Sequence, residues 1–360
     1  MIKREIEKRQ IPDFFVNDGK KITNKEEWEE HRKRVLDLFL GEEYGYLPPK
    51  IEPSIRLEEQ AINFAGKAKW ESVFFTFKKG TKRRTVRAEL ILPRGKKSPV
   101  FLAIDFLKES PNKYLPVEEI LDSGFGIFKL CYESVTRDNG DFENGLCALF
   151  EGGKEKYGKI AIWSYMASIC MDYLMTREDV DSKNVAIIGH SRLGKTALLT
   201  SAIDNRFVLT CVNDSGCCGA SVSRGKVDGN EKIYDIVKTF PYWFKREYAL
   251  YAGKENTLPF DQHMLLSLVA PRNVIIGGAK EDVWADNEGQ FLSCHLASYA
   301  WELYGKSGLI HDGKMPEVGE VLTAGELGFY LREGTHFLSR DDWKIYISKF
   351  REILDNEIRE

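Results

Sequence analysis

Apolar and polar positions alternate in blocks along this chain, and the block lengths predict its elements. Between Lys25 and Leu40, Trp28, Val35, Leu36, Leu38 and Phe39 recur at helical spacing. That spacing predicts an amphipathic helix, ended by Gly41 and followed by Leu47-Pro48-Pro49. WESVFFTF (Trp70 to Phe77) and TVRAELILP (Thr85 to Pro93) are strand-like runs joined by a charged turn, which predicts an antiparallel hairpin at a sheet edge. Further on, the runs become short and apolar: PVFLAID (Pro99 to Asp105), FGIFKLCY (Phe125 to Tyr132), NVAIIG (Asn184 to Gly189), VLTCVN (Val208 to Asn213) and NVIIGG (Asn273 to Gly278). Helical segments separate several of them, the clearest from Ile160 to Thr176, after which DVDSKN reads as a polar loop. Short apolar strands alternating with helices predict a mostly parallel sheet covered on both faces, an α/β three-layer sandwich.

No internal repeat and no Pro/Gly/Ser-rich linker interrupts the sequence, so one α/β domain over 1–360 is expected, with an N-terminal helical extension over about 1–60. Composition narrows the function. Lys plus Arg number 52 against 55 for Asp plus Glu, which argues against nucleic acid or an anionic membrane as partner. MIKREIEKRQ at the start lacks the apolar run of a secretory signal or a span, so a cytoplasmic location is the expectation. Seven cysteines without C-x-x-C spacing read as buried small hydrophobes, the adjacent Cys217 and Cys218 included, and no metal or other cofactor is called for. Oligomeric state is not legible.

In open parallel sheets the reactive groups gather beyond the carboxyl ends of the strands. One such end, VAIIGHSRLGKTALLT (Val185 to Thr200), satisfies two motifs. Gly189 to Thr196 fits G-x-x-x-x-G-K-[ST], a phosphate-cradling P-loop, and a nucleotide-binding protein is the alternative of another class. As a strand, sharp turn and helix it is also a nucleophile elbow, with Ser191 on the turn, although the second glycine, Gly194, comes one position later than in G-x-S-x-G. A serine nucleophile needs a base after the last strand and an acid between them in sequence. His336, in GTHF after GELGFYL, stands where that base belongs, and His263 in PFDQH is its one competitor among six histidines. Asp282 follows NVIIGG, and Asp214 follows VLTCVN. Either can hold the imidazole, with Asp282 the primary choice and Asp214 contributing.

The elbow G-x-S-R-x-G-K resembles that of the glucuronoyl esterases, carbohydrate esterases that cleave esters of glucuronic acid on xylan. The resemblance extends through AIWSYMASICMDYL, DVDSKNVAIIGHSRLGKTAL, VNDSGCCGASVSR, FPYWF, LPFDQHMLLSLVAPR, EDVWADNEGQF and REGTHF. It implies an α/β-hydrolase fold and a metal-free serine esterase working through an acyl-enzyme on a carbohydrate ester. It further implies that Arg192 stabilises the oxyanion and that Lys195, Trp284 and Glu231 bind the sugar. Acetyl-xylan or another carbohydrate ester on the same triad is the close alternative. The loop after Asp105 reads FLKES where the family more often has Asn-Phe-x-Gly.

Overall fold

In the computed structural model, which describes residues 2–17, 19–61 and 64–357, the apolar runs assemble into one ten-stranded sheet. A two-residue hairpin, β1 (Val16–Asn17) and β2 (Lys20–Lys21), stands apart from it. The sheet's strands are β3 (Ser54–Glu59), β4 (Ala68–Lys79), β5 (Lys82–Pro93), β6 (Ser98–Asp105), β7 (Gly126–Cys131), β8 (Val180–His190), β9 (Leu209–Asn213), β10 (Asn273–Ala279), β11 (Val321–Leu322) and β12 (Leu327–Arg332). Their order is β11-β12-β10-β9-β8-β6-β7-β5-β4-β3. The run from β12 to β7 is parallel; β5, β4 and β3 continue it antiparallel, and β11 caps the other edge antiparallel.

The continuous apolar character of the parallel strands follows from burial of both faces. Along β8, Val185 and Ile187 enter one apolar layer while Ala186 and Ile188 enter the other. The same alternation divides Val100, Leu102 and Ile104 from Phe101 and Ala103 on β6. The first layer is built with the helix Lys159–Leu174, which is apolar on nearly every side and buried along almost its whole length. The second rests on Trp343, Tyr346 and Phe350 of the C-terminal helix Arg340–Glu357.

Three expectations shift. The Trp70–Phe77 and Thr85–Pro93 runs do pair, but the edge belongs to β3, whose SIRLEE sequence is exposed at all six positions and carries no burial signal. It also brings a sheet strand into the N-terminal 60 residues. DVDSKN is not a loop throughout, because Val180 opens β8 and pairs with Ser98 before a register shift. The helix Lys25–Leu38 does not end at Gly41; it widens into a π-helical turn, Phe39–Tyr44.

That turn buries Glu43 completely. Gln262 donates to its Oε2 at 3.0 Å, while Oε1 has no hydrogen-bond partner. Burial, against the hydrogen bond from Gln262, pushes the carboxyl from 4.5 up to about 8. A folded-state pKa raised above the unfolded one gives stability that is complete below the unfolded value and is lost as pH rises toward the folded value. Glu43→Gln, which cannot ionise, is therefore expected to match the parent near pH 5 and to exceed it at pH 8 by on the order of 3 kcal/mol. Denaturant melts at the two pH values check this; an equal difference at both would sink it.

Candidate active site

At the carboxyl end of β8 the chain turns so sharply that Ser191 takes φ 57° and ψ −125° before the helix Arg192–Ile203 begins. A serine in that conformation is strained. It persists because its N–H donates to Asn213 O at 2.8 Å on the neighbouring β9, and because Gly189 lets the helix close in. A Cβ on Gly189 would stand 2.0 Å from Leu193 O. Ser191 makes no side-chain cap to the helix, so its hydroxyl is not engaged as an ordinary N-cap.

The hydroxyl pairs instead with His336, Nε2 to Oγ at 2.9 Å, and His336 Nδ1 pairs with Asp282 Oδ2 at 2.6 Å. Asp282 is buried on the turn after β10, and half-exposed His336 lies on the loop after β12. Strands adjacent in the sheet thus bring together residues far apart in sequence. Asp214, after β9, lies beside them: one of its carboxylate oxygens, one of Asp282 and a ring nitrogen of His336 all fall within 4.8 Å of one another. Its hydrogen bonds go elsewhere, Oδ1 accepting from Ala279 N at 2.9 Å and Oδ2 facing Arg332 Nη2 at 3.4 Å. Burial, reinforced by the Asp282 charge, holds the Asp214 carboxyl well above the usual range. Of the two carboxylates, Asp282 is the one hydrogen-bonded to His336.

His190 lies tilted against His336, ring centroids 4.5 Å apart, and its Nδ1 meets Asn213 Oδ1 at 2.6 Å. Burial, with His336 as neighbour, pushes its pKa down to about 3, so it places no positive charge beside His336. His263 lies on another helix, Gln262–Ser267, buried against Phe14. Among the described residues the one group able to offer three metal ligands is Asp214, Asp282 and His336, and His336 already spends both ring nitrogens on Ser191 and Asp282.

The guanidinium of Arg192 lies over Trp243, 4.5 Å from the ring centroid, and near Phe240 at 4.8 Å. Its Nη1 is ion-paired with Asp138. Asp138 was not legible as a site residue, since nothing in the spacing of TRDNGD aims it at a side chain 54 positions later. Lys195 Nζ is buried, donating to Ser215 O at 2.6 Å and to Glu231 Oε2 at 3.3 Å. Glu231 N in turn donates to Trp284 O at 2.9 Å, so the three proposed sugar-binding residues form one connected group. Trp284 keeps 47% of its surface exposed. The phosphate-cradle geometry is not formed: Lys195 points into the protein, and Thr196 Oγ1 donates to Arg192 O at 3.0 Å.

Asp286, four residues beyond Asp282, is buried. Burial alone would raise its carboxyl, but Lys226 and Arg9 hold it well below the usual range. Arg9 grips it with Nη1 at 2.9 Å and Nη2 at 3.2 Å, while Ser221 and Lys226 close the other side. The first helix is thereby tied to the loop that follows Asp282.

A mostly parallel sheet with a strained serine at one strand end and its His and Asp partners at two others defines an α/β-hydrolase. Comparison with known proteins narrows the class. The family model described as "Glucuronyl esterase, fungi" matches residues 75–305. The carbohydrate esterase MZ0003, from an unknown prokaryotic organism, is 33% identical over 95% of this chain and 89% of its own length. A 4-O-methyl-glucuronoyl methylesterase of Schizophyllum commune is 26% identical over 81% of this chain and 72% of its own. Among solved structures, a glucuronoyl esterase from Solibacter usitatus superposes with a TM-score of 0.86 at 30% identity, covering 95% of this chain and 97% of the other. A promiscuous CE15 esterase from a marine bacterial metagenome gives 0.85 at 31%, covering 95% and 96%. The chain belongs to the glucuronoyl esterase family of carboxylic ester hydrolases. Among the described residues no helix is long and apolar enough to cross a membrane.

Proposed function

We propose that this chain hydrolyses glucuronoyl esters carried on xylan fragments, with Ser191 as nucleophile, His336 as base and Asp282 as the acid that orients it. The observation that carries this reading is the unbroken chain of hydrogen bonds from Ser191 through His336 to Asp282, next to the connected group Lys195, Glu231 and Trp284. Ser191 Oγ attacks the ester carbonyl as His336 Nε2 takes its proton, and Asp282 supports the imidazolium that results. The backbone N–H of Arg192, next to the serine in sequence, and its guanidinium serve the developing oxyanion. Collapse expels the alcohol, protonated by His336, and leaves the glucuronoyl group on Ser191. Water, deprotonated by His336, then releases the acid. Lys195, buried behind Glu231, holds that carboxylate in place; Glu231 accepts from sugar hydroxyls, and the Trp284 indole offers a stacking face. Asp214 supports the Arg332 side of the site rather than the imidazole.

An exposed His336 and Trp284 leave the site open to solvent, which suits an ester borne as a side group of a larger saccharide. The same openness favours a second reading, that acetylated or other carbohydrate esters are also cleaved, as the description of the marine relative as promiscuous suggests. Rates on benzyl glucuronate and p-nitrophenyl acetate, measured side by side, test the choice. A kcat/KM at least tenfold higher on the glucuronate supports the first reading; preference for the acetate replaces it with the second. Arg192→Ala is expected to lower kcat on benzyl glucuronate about a hundredfold, with a much smaller change in KM, because its contribution is made to the transition state. Steady-state kinetics check this, and a loss confined to KM would remove Arg192 from the oxyanion site.

A further inference from the structure

Ester hydrolysis turns a neutral acyl group into a carboxylate at the same carbon, with the proton passing to solvent. An arginine placed to steady a transient oxyanion is also well suited to holding that product, because guanidinium and carboxylate form a two-pronged, charge-assisted pair. In this chain the guanidinium is already engaged. Asp138, only 7% exposed at its side chain, ion-pairs with Arg192 Nη1. Its other oxygen accepts from Trp243 Nε1 at 2.7 Å, and Tyr132 OH lies 3.3 Å from the paired one. Tyr242 OH donates to its backbone carbonyl at 2.8 Å. Trp243 is stacked on Phe240, centroids 3.9 Å apart and planes within 1°, and both rings lie under the same guanidinium. The carboxylate is therefore fixed from three sides.

We propose that Asp138 is a positioning residue for product release: it fixes the Arg192 guanidinium on the Trp243–Phe240 stack and offsets its charge, so that the acid product is held weakly. The inference rests on the role given to Arg192 above. A neutral ester meets little of the Asp138 charge, whereas an anionic product meets all of it, so the carboxylate acts on the two ends of the reaction unequally.

The test is inhibition and calorimetric binding of glucuronate, with acetate beside it, in the parent, Asp138→Asn and Asp138→Ser. The serine variant keeps an acceptor for the Trp243 indole and serves if the asparagine variant does not fold. Removing the charge is expected to tighten glucuronate binding about tenfold, and adding Arg192→Ala is expected to abolish that gain. Loss of structure alone weakens binding and does not tighten it. Binding that is unchanged or weaker in both variants overturns the inference, as does an Asp138→Glu variant that tightens as much as Asp138→Asn. Turnover of benzyl glucuronate by the parent separates the two readings: without it the proposed substrate fails, and acetate affinity still reports whether Asp138 tempers Arg192.

Discussion

Ser191→Ala is expected to lose about a hundred-thousand-fold or more in kcat on benzyl glucuronate, while its melting temperature stays at that of the parent. On the proposed reading the hydroxyl is the attacking atom, and it lies 2.9 Å from His336 Nε2. It adds little to stability, since it caps nothing in the helix that follows. Ser191→Gly is equally inactive but more stable. Its backbone, at φ 57° and ψ −125°, is costly for any residue with a Cβ, and relief of about 1 kcal/mol is expected. Rates measured with thermal melts decide this. A glycine variant no more stable than alanine would mean the turn holds no strain, and residual turnover within a hundredfold of the parent would remove Ser191 as the nucleophile.

The second large effect separates the two acids. Asp282→Asn is expected to lower kcat about a thousand- to ten-thousandfold, because an amide facing Nδ1 no longer holds the imidazole in the tautomer that leaves Nε2 free to accept the serine proton. Asp214→Asn is expected to cost less than about tenfold, since that carboxyl is bonded to Ala279 N and Arg332 rather than to His336. The comparison must be made on one substrate in one buffer. Equal losses would mean that both acids share the imidazole, and the reverse order would hand the role to Asp214.

What could be read beforehand follows from how strongly each residue's surroundings mark the sequence. Strands buried on both faces are apolar without interruption, so β6 to β10 stand out as runs, and their ends point to Ser191, Asp214 and Asp282. His336 follows from chain order in the same way. β3 was missed because an edge strand exposed at every position has the composition of a loop. The start of β8 was missed because Asp181, Ser182 and Lys183 conceal a strand opened by Val180 alone. Asp138 and Arg9 were out of reach for a different reason. Each meets its partner only through the folded topology, across 54 and 277 positions, and a single charged residue on a loop or a short helix carries no periodicity. Strand ends put Asp282 first with Asp214 contributing, but the direction of each carboxylate, Asp282 toward His336 and Asp214 toward Ala279 N and Arg332, is not encoded there.

The clasp between Arg9 and Asp286 also sets how far the working unit extends. The family signature covers residues 75–305, yet the loop carrying Asp282 is braced from the first helix, and the imidazole arrives from beyond residue 305. Recognisable sequence and functional molecule thus have different boundaries. A fragment trimmed to the signature would lack His336 and would leave Asp286 with Lys226 as its remaining cation. Shuffling this unit between scaffolds has to carry the helix Ile2–Arg9 along, because it braces the loop that follows Asp282.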